Sequence, residues 1–140
     1  MNNFWFNFSQ RKDLSTHSLM NLEIDSLKSK KKFELEKKHI SKVLDFNKFN
    51  NILDLGGGVG MWSTYFLSFG LKVSLVEKEK NFLGIAKSNI KSKNIKFYHN
   101  NVNDFHYRKN NFDIVFLSGV SIYLNDLDFK DLIKKIFYTL

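Results

Sequence analysis

Cysteine and proline are both absent from the 140 residues, and only two of the 22 basic residues are arginine. The first absence excludes a disulfide scaffold, a thiolate zinc site and a cysteine nucleophile. The second excludes every motif built on proline. The scarcity of arginine weighs against nucleic acid as a partner, because recognition of phosphate and bases favours the guanidinium fork. The net charge of +8 therefore comes from 20 lysines in a chain also rich in Asn, Ile and Phe, which reads as a solvated surface. The densest lysine run, Lys28 to Lys38, is interleaved with Glu34 and Glu36, as on the wet face of a helix. No apolar run approaches the roughly 18 residues of a membrane span. The N-terminus, MNNFWFNFSQRK, lacks the charged, apolar and small-residue sections of a secretory signal. The expectation is a cytoplasmic protein without membrane contact.

What is present is enough apolar sequence, 43%, for one core-forming domain. Residues 1–48 read as a helical arm or lid and 49–140 as an α/β domain. In the arm, Phe33, Ile40, Val43 and Leu44 share a helical face, whereas the aromatic run Phe4 to Phe8 shows no period. Four strands are expected at Ile52 to Leu55, Lys72 to Glu77, Ile95 to Tyr98 and Phe112 to Leu117. Helical stripes lie between them at Met61 to Phe69 and Phe82 to Ile90, with Gly70 placed to end the first. A final stripe runs from Leu132 to Leu140, with Asp126 and Asp128 suited to its positive N-terminal end. Strands alternating with helices imply an α/β, doubly wound, mainly parallel sheet with helices on both faces.

The most informative segment is Asn51-Ile-Leu-Asp54-Leu-Gly56-Gly57-Gly58-Val-Gly60. Four glycines in five residues after a buried strand exceed the need of a tight turn and point to a ligand approaching the backbone. A dinucleotide fingerprint would place its third glycine at position 61, where the chain has Met61. The spacing instead resembles the first motif of the class I S-adenosylmethionine-dependent methyltransferases. That resemblance implies a Rossmann-like fold, a loop around the methionine part of S-adenosylmethionine, Asp54 near its amino end, and S-adenosylhomocysteine as product. Glu77 ends the second strand, where a carboxylate can accept both ribose hydroxyls. The segment IKFYHNNVNDF resembles the family's adenine-binding stretch. Its usual Asp falls on Asn101, whose amide oxygen can still accept from the adenine amino group, with Val102 against the ring and Asp104 as the alternative acceptor. FDIVFLSGVSIYL resembles the fourth strand and following loop, placing Ser118 at the floor between cofactor and acceptor. No metal ligand set is expected.

Methyl transfer from a sulfonium is an in-line displacement in which positioning supplies most of the catalysis, and a base is needed only if the acceptor must lose a proton. Tyr123 and His99 are the candidates for such a group. The family's nucleic-acid amino methyltransferases resemble a two-proline motif after the fourth strand, where this chain reads Leu117-Ser118-Gly119-Val120. The expected acceptor is therefore the oxygen or nitrogen of a small molecule. Alternatives are an inactive cofactor-binding module or partner subunit, and an RNA-associated enzyme using the lysine-rich arm. The relatives' sheet continues beyond a fourth strand, so this chain is expected to hold an incomplete domain. The open fourth-strand edge would then pair with a second copy or a partner chain.

Overall fold

Side chains on a strand alternate between faces, so Ile52 and Asp54 must leave the first strand on one side and Leu53 and Leu55 on the other. The computed structural model, which describes residues 4–140, builds a four-stranded parallel sheet on that alternation. Its strands are β1 (Asn51–Leu55), β2 (Lys72–Glu77), β3 (Ile95–His99) and β4 (Ile114–Leu117), in the spatial order β3-β2-β1-β4. The helices of the α/β region are α4 (Met61–Leu67), α5 (Lys80–Asn89) and α6 (Asp126–Thr139). One face of the sheet (Ile52, Val73, Leu75, Ile95) packs on Trp62 and Phe66 of α4 and on Leu83 and Ala86 of α5. The other face (Leu53, Leu55, Val76) meets Val102, Tyr107 and Phe112 from the β3–β4 connection and Leu132 of α6. Each such side chain, once fully buried, contributes about 1.5–3 kcal/mol.

Three details differ from the sequence pattern, each for a local reason. The Phe4 to Phe8 run is a helix, α1 (Phe4–Ser9), in which Phe4 and Phe8 stack one turn apart at 5.7 Å. Strand β4 begins two residues later than expected. The N–H of Phe112 is taken by the Thr139 carbonyl at the end of α6. The Asp113 carboxylate accepts from the N–H groups of Asn50 and Asn51 at 2.7 and 2.9 Å, which hold its pKa below the usual carboxylate range. This clamps the start of β4 to the start of β1. Val43, expected on the buried face of the arm, is the last residue of its helix and is 82% exposed.

The arm comprises α1, α2 (Thr16–Asn21) and α3 (Ser26–Val43). Ser29, fully buried on α3, receives the Asn21 amide at 2.8 Å and donates to the His17 carbonyl, tying α2 to α3. Phe33 inserts edge-on against Trp62 at 5.0 Å, and Leu19 joins Val59 and Phe82 in a small separate core. The arm is thus packed onto the glycine-loop side of the sheet. No helix among the described residues is long and apolar enough to cross a membrane.

Candidate functional site

A cavity of about 480 Å³ opens at the carboxyl ends of β1 and β2, the side on which open α/β sheets bind ligands. Its floor is the glycine loop. The N–H groups of Gly56 and Gly57 donate to the Val76 carbonyl at 2.8 and 3.1 Å, which turns the chain sharply out of β1. The glycines do different jobs. At Gly60 (φ +83°) a Cβ would lie 2.5 Å from Ile90 and 3.2 Å from Ala86, so its absence lets α4 and α5 pack closely. At Gly58 (φ +55°) a Cβ would meet nothing within 4 Å. A Cβ at Gly56 would run into Val120 and one at Gly57 would lie 2.6 Å from Leu75, so packing accounts for Gly56, Gly57 and Gly60, and Gly58 is the member of the motif whose bare backbone faces open space.

Strand parity sends Asp54 and Glu77 to the same face of the sheet, and both line the cavity. Asp54, 2% exposed, accepts from the Ser63 hydroxyl of α4 at 2.6 Å. Burial pushes its pKa up to about 7; the Ser63 hydrogen bond opposes that rise and the nearby Glu77 charge adds to it. Glu77, also buried, accepts from the N–H groups of Gly58 at 2.9 Å and Glu79 at 2.7 Å. Desolvation raises its pKa and these two donors hold the rise back. Two N–H groups fix the carboxylate in place while leaving lone pairs on both oxygens free for a ligand.

After β3 the chain makes a tight turn over residues 101–104. The Asn101 carbonyl accepts from the Asp104 N–H, the Val102 carbonyl from the Tyr107 hydroxyl at 2.7 Å, and the Asn103 carbonyl from the Lys135 ammonium at 2.7 Å. Asn101 and Val102 both line the cavity, and the Asn101 amide oxygen accepts from the Asn103 N–H at 3.1 Å, which leaves it a second lone pair. Asn103, which the sequence pattern passed over, also lines it. Its Oδ1 is the one buried side-chain polar atom among the described residues without a partner. A buried acceptor left unmatched is costly unless a ligand completes it. Asp104, the alternative acceptor, is exposed and does not line the cavity.

The far wall comes from Ser118, Gly119 and the turn that follows. Tyr123 lines the cavity and meets Trp5 of α1 edge-on at 5.0 Å; Trp5 also approaches Phe82 at 6.3 Å. Glu36 of α3 and Asp128 of α6 reach the same space. His99 does not. Its Nε2 bonds the Lys78 carbonyl at 2.8 Å in a separate hollow with Phe6, Ser9 and Lys80. The cavity has a sign opposite to that of the protein. It is lined by Asp54, Glu77, Glu79, Glu36 and Asp128, against Lys32 and Lys78, which themselves pair with Glu36 and Glu79.

The sequence model of a family described as "Methyltransferase domain" matches residues 52–140. The chain belongs to that family. The sheet order, the glycine loop after β1 and the acid ending β2 are those of a Rossmann-like, S-adenosylmethionine-dependent methyltransferase. A curated relative, alpha N-terminal protein methyltransferase 1 of Dictyostelium discoideum, is 40% identical over 91 residues, which is 61% of this chain and 33% of the relative. The methyltransferase domain here thus spans about a third of that relative's length. Among solved structures, an S-adenosylmethionine-dependent methyltransferase of Leishmania major superposes with a TM-score of 0.77 at 20% identity. That match covers 97% of this chain and 56% of the Leishmania protein, so the arm belongs to the shared architecture. Phosphoethanolamine N-methyltransferase 2 of Haemonchus contortus, in complex with S-adenosyl-L-methionine, matches with a TM-score of 0.60 at 25% identity, over 66% of this chain and 22% of the other.

Proposed function

We propose that this methyltransferase holds S-adenosylmethionine at the carboxyl ends of β1 and β2 and methylates an amine nitrogen, foremost the α-amine of a polypeptide. The observation that carries the reading is the 40% identity to an alpha N-terminal protein methyltransferase, together with an acidic cavity in a chain of net charge +8. The residues present fit the cofactor. The open space over Gly58 admits it, and the buried carboxylates of Asp54 and Glu77 suit a ligand carrying ammonium and sulfonium charges. Glu77 accepts the ribose hydroxyls, the unmatched Asn103 Oδ1 accepts the adenine amino group, and Val102 lies against the ring. Asn101 braces this turn through the Asn103 N–H.

The bound cofactor supplies a methyl group already activated on a cationic sulfur. The protein's part is to aim the nitrogen lone pair along that bond and to keep the amine unprotonated at the moment of attack. Tyr123, Trp5, Glu36 and Asp128 form the acceptor side, and Tyr123 is the hydroxyl placed to orient the nitrogen. His99 has no part in it. Helices α1 and α2 act as a lid over both ligands.

Peptides with a free N-terminus, offered with S-adenosylmethionine, should gain methyl groups at the α-amine by mass spectrometry, while N-acetylated copies should not. Equal labelling of both, or S-adenosylhomocysteine formation with neither, would sink this assignment. A second reading, a small-molecule amine, is supported by the likeness to the phosphoethanolamine enzyme at 25% identity. Phosphoethanolamine is the matching competitor in the same assay.

The β4 edge is proposed as a pairing surface for a second copy. Ile114 to Leu117 are only half-buried, pair with β1 alone, and α6 leaves Phe137 76% exposed. Light scattering behind size exclusion should report a dimer at micromolar concentration; a monodisperse monomer there would remove this surface from consideration.

A further inference from the structure

We propose that Lys135 on α6 is a positioning residue for the adenine end of the cofactor site, acting through Asn103; this rests on the assignment of Asn103 above. Three consecutive carbonyls of the turn, those of Asn101, Val102 and Asn103, each have a donor. The first donor is local and the second comes from Tyr107 within the same connection. Only the third comes from another element. Lys135 Nζ reaches the Asn103 carbonyl at 2.7 Å while pairing with Asp131 one turn earlier on α6 at 2.6 Å.

An exposed Lys–Asp pair alone would contribute little. This lysine side chain is instead only 34% exposed, and its ammonium is shared with a backbone oxygen of the residue whose side chain carries the unmatched buried acceptor. Fixing the peptide of Asn103 fixes the direction of its Cβ, and hence which way Oδ1 can face. Asp128 lies seven residues before Lys135, two helical turns along the same face, and lines the acceptor side of the cavity. Helix α6 therefore touches the acceptor side through Asp128 and the adenine turn through Lys135, and sets the spacing between them.

The test uses the 140-residue chain, calorimetry, and two ligands: S-adenosylhomocysteine and its analogue carrying hydrogen in place of the adenine amino group. Lys135→Met should weaken S-adenosylhomocysteine by up to about tenfold, the worth of the single adenine-amino hydrogen bond that it would misalign, and leave the analogue unchanged. Lys135→Arg, which keeps the charge and the reach, should restore most of the loss. Equal weakening of both ligands would show a merely structural lysine, and weakening of neither would show an idle one; either overturns the proposal. Asn103→Ala separates the two assignments. If it shows the amino-dependent loss while Lys135→Met does not, Asn103 stands and Lys135 falls. If Asn103→Ala binds both ligands as the native chain does, the assignment of Asn103 fails, and that of Lys135 with it.

Discussion

Asp54→Asn should abolish a pH dependence of S-adenosylmethionine affinity that the native chain shows below about pH 7. In the ligand-free fold the Asp54 carboxyl is held by burial at a pKa of about 7, so at pH 6 most molecules carry it neutral. A cationic ligand beside it favours the ionised form, and binding below pH 7 must therefore expel a proton. Affinity should rise up to about tenfold per pH unit as pH approaches 7 and level off above it. The asparagine accepts the Ser63 hydroxyl equally well but has no proton to lose. The ratio of native to variant affinity isolates this effect from titration of the ligand's own amine. A ratio that stays flat from pH 5.5 to 8 would remove Asp54 from the ligand's electrostatic environment.

The same shift has a stability counterpart. The folded-state pKa lies above the unfolded value of 3.8, so the folded protein holds the proton more tightly than the unfolded chain. Stability attributable to this carboxyl is full below the unfolded pKa and falls as pH rises towards 7. The loss is at most on the order of 4 kcal/mol. Asp54→Asn should accordingly melt above the native chain at pH 8, with the gap closing towards pH 4.

Glu77→Ala should weaken S-adenosylmethionine binding by about 1–3 kcal/mol, roughly five- to 150-fold. Two effects add. The ribose hydroxyls lose their acceptor, and the N–H groups of Gly58 and Glu79, now donating to Glu77, lose theirs. Because the Gly58 N–H belongs to the loop under the ligand, the alanine variant also loosens that loop. Glu77→Gln distinguishes the contributions: its amide oxygen can keep one N–H partner, but its NH2 group faces the other donor. Glutamine should recover part of the melting temperature and little of the affinity. An alanine variant with a native dissociation constant would take Glu77 out of the site.

The sheet was legible because β1 and β2 are short, largely buried and mostly apolar, broken only by Asp54 and Ser74 and bounded by glycine and charge. The glycine motif and Glu77 were legible because each sits at a fixed distance from a strand end. The adenine turn was harder. Asn101, Asn103 and Asp104 are all short polar residues within four positions, and only the folded turn shows Asn101 folding back on its own backbone while Asn103 faces inward. Periodicity also failed at α1, too short for a pattern, and at β4, where the end of α6 takes the Phe112 N–H and the Asp113 carboxylate takes the N–H groups of Asn50 and Asn51. Of the four glycines only Gly58 faces open space, because packing on Val120, Leu75 and α5 explains Gly56, Gly57 and Gly60, so their number alone does not measure a ligand. Contacts made by Trp5 were beyond reach, because they join segments distant in sequence.

Those contacts govern when the site comes into being. Trp5 precedes both of its partners, Phe82 and Tyr123, by long stretches of chain. As the polypeptide emerges, the glycine loop and Glu77 can assemble with β1 and β2 while α1 still lacks its contacts with Phe82 and Tyr123. The contact between α1 and the far wall forms only after the turn bearing Tyr123 has been synthesised, so the glycine loop is in place before it. A nascent chain therefore presents the glycine loop before α1 has been joined to the Tyr123 turn.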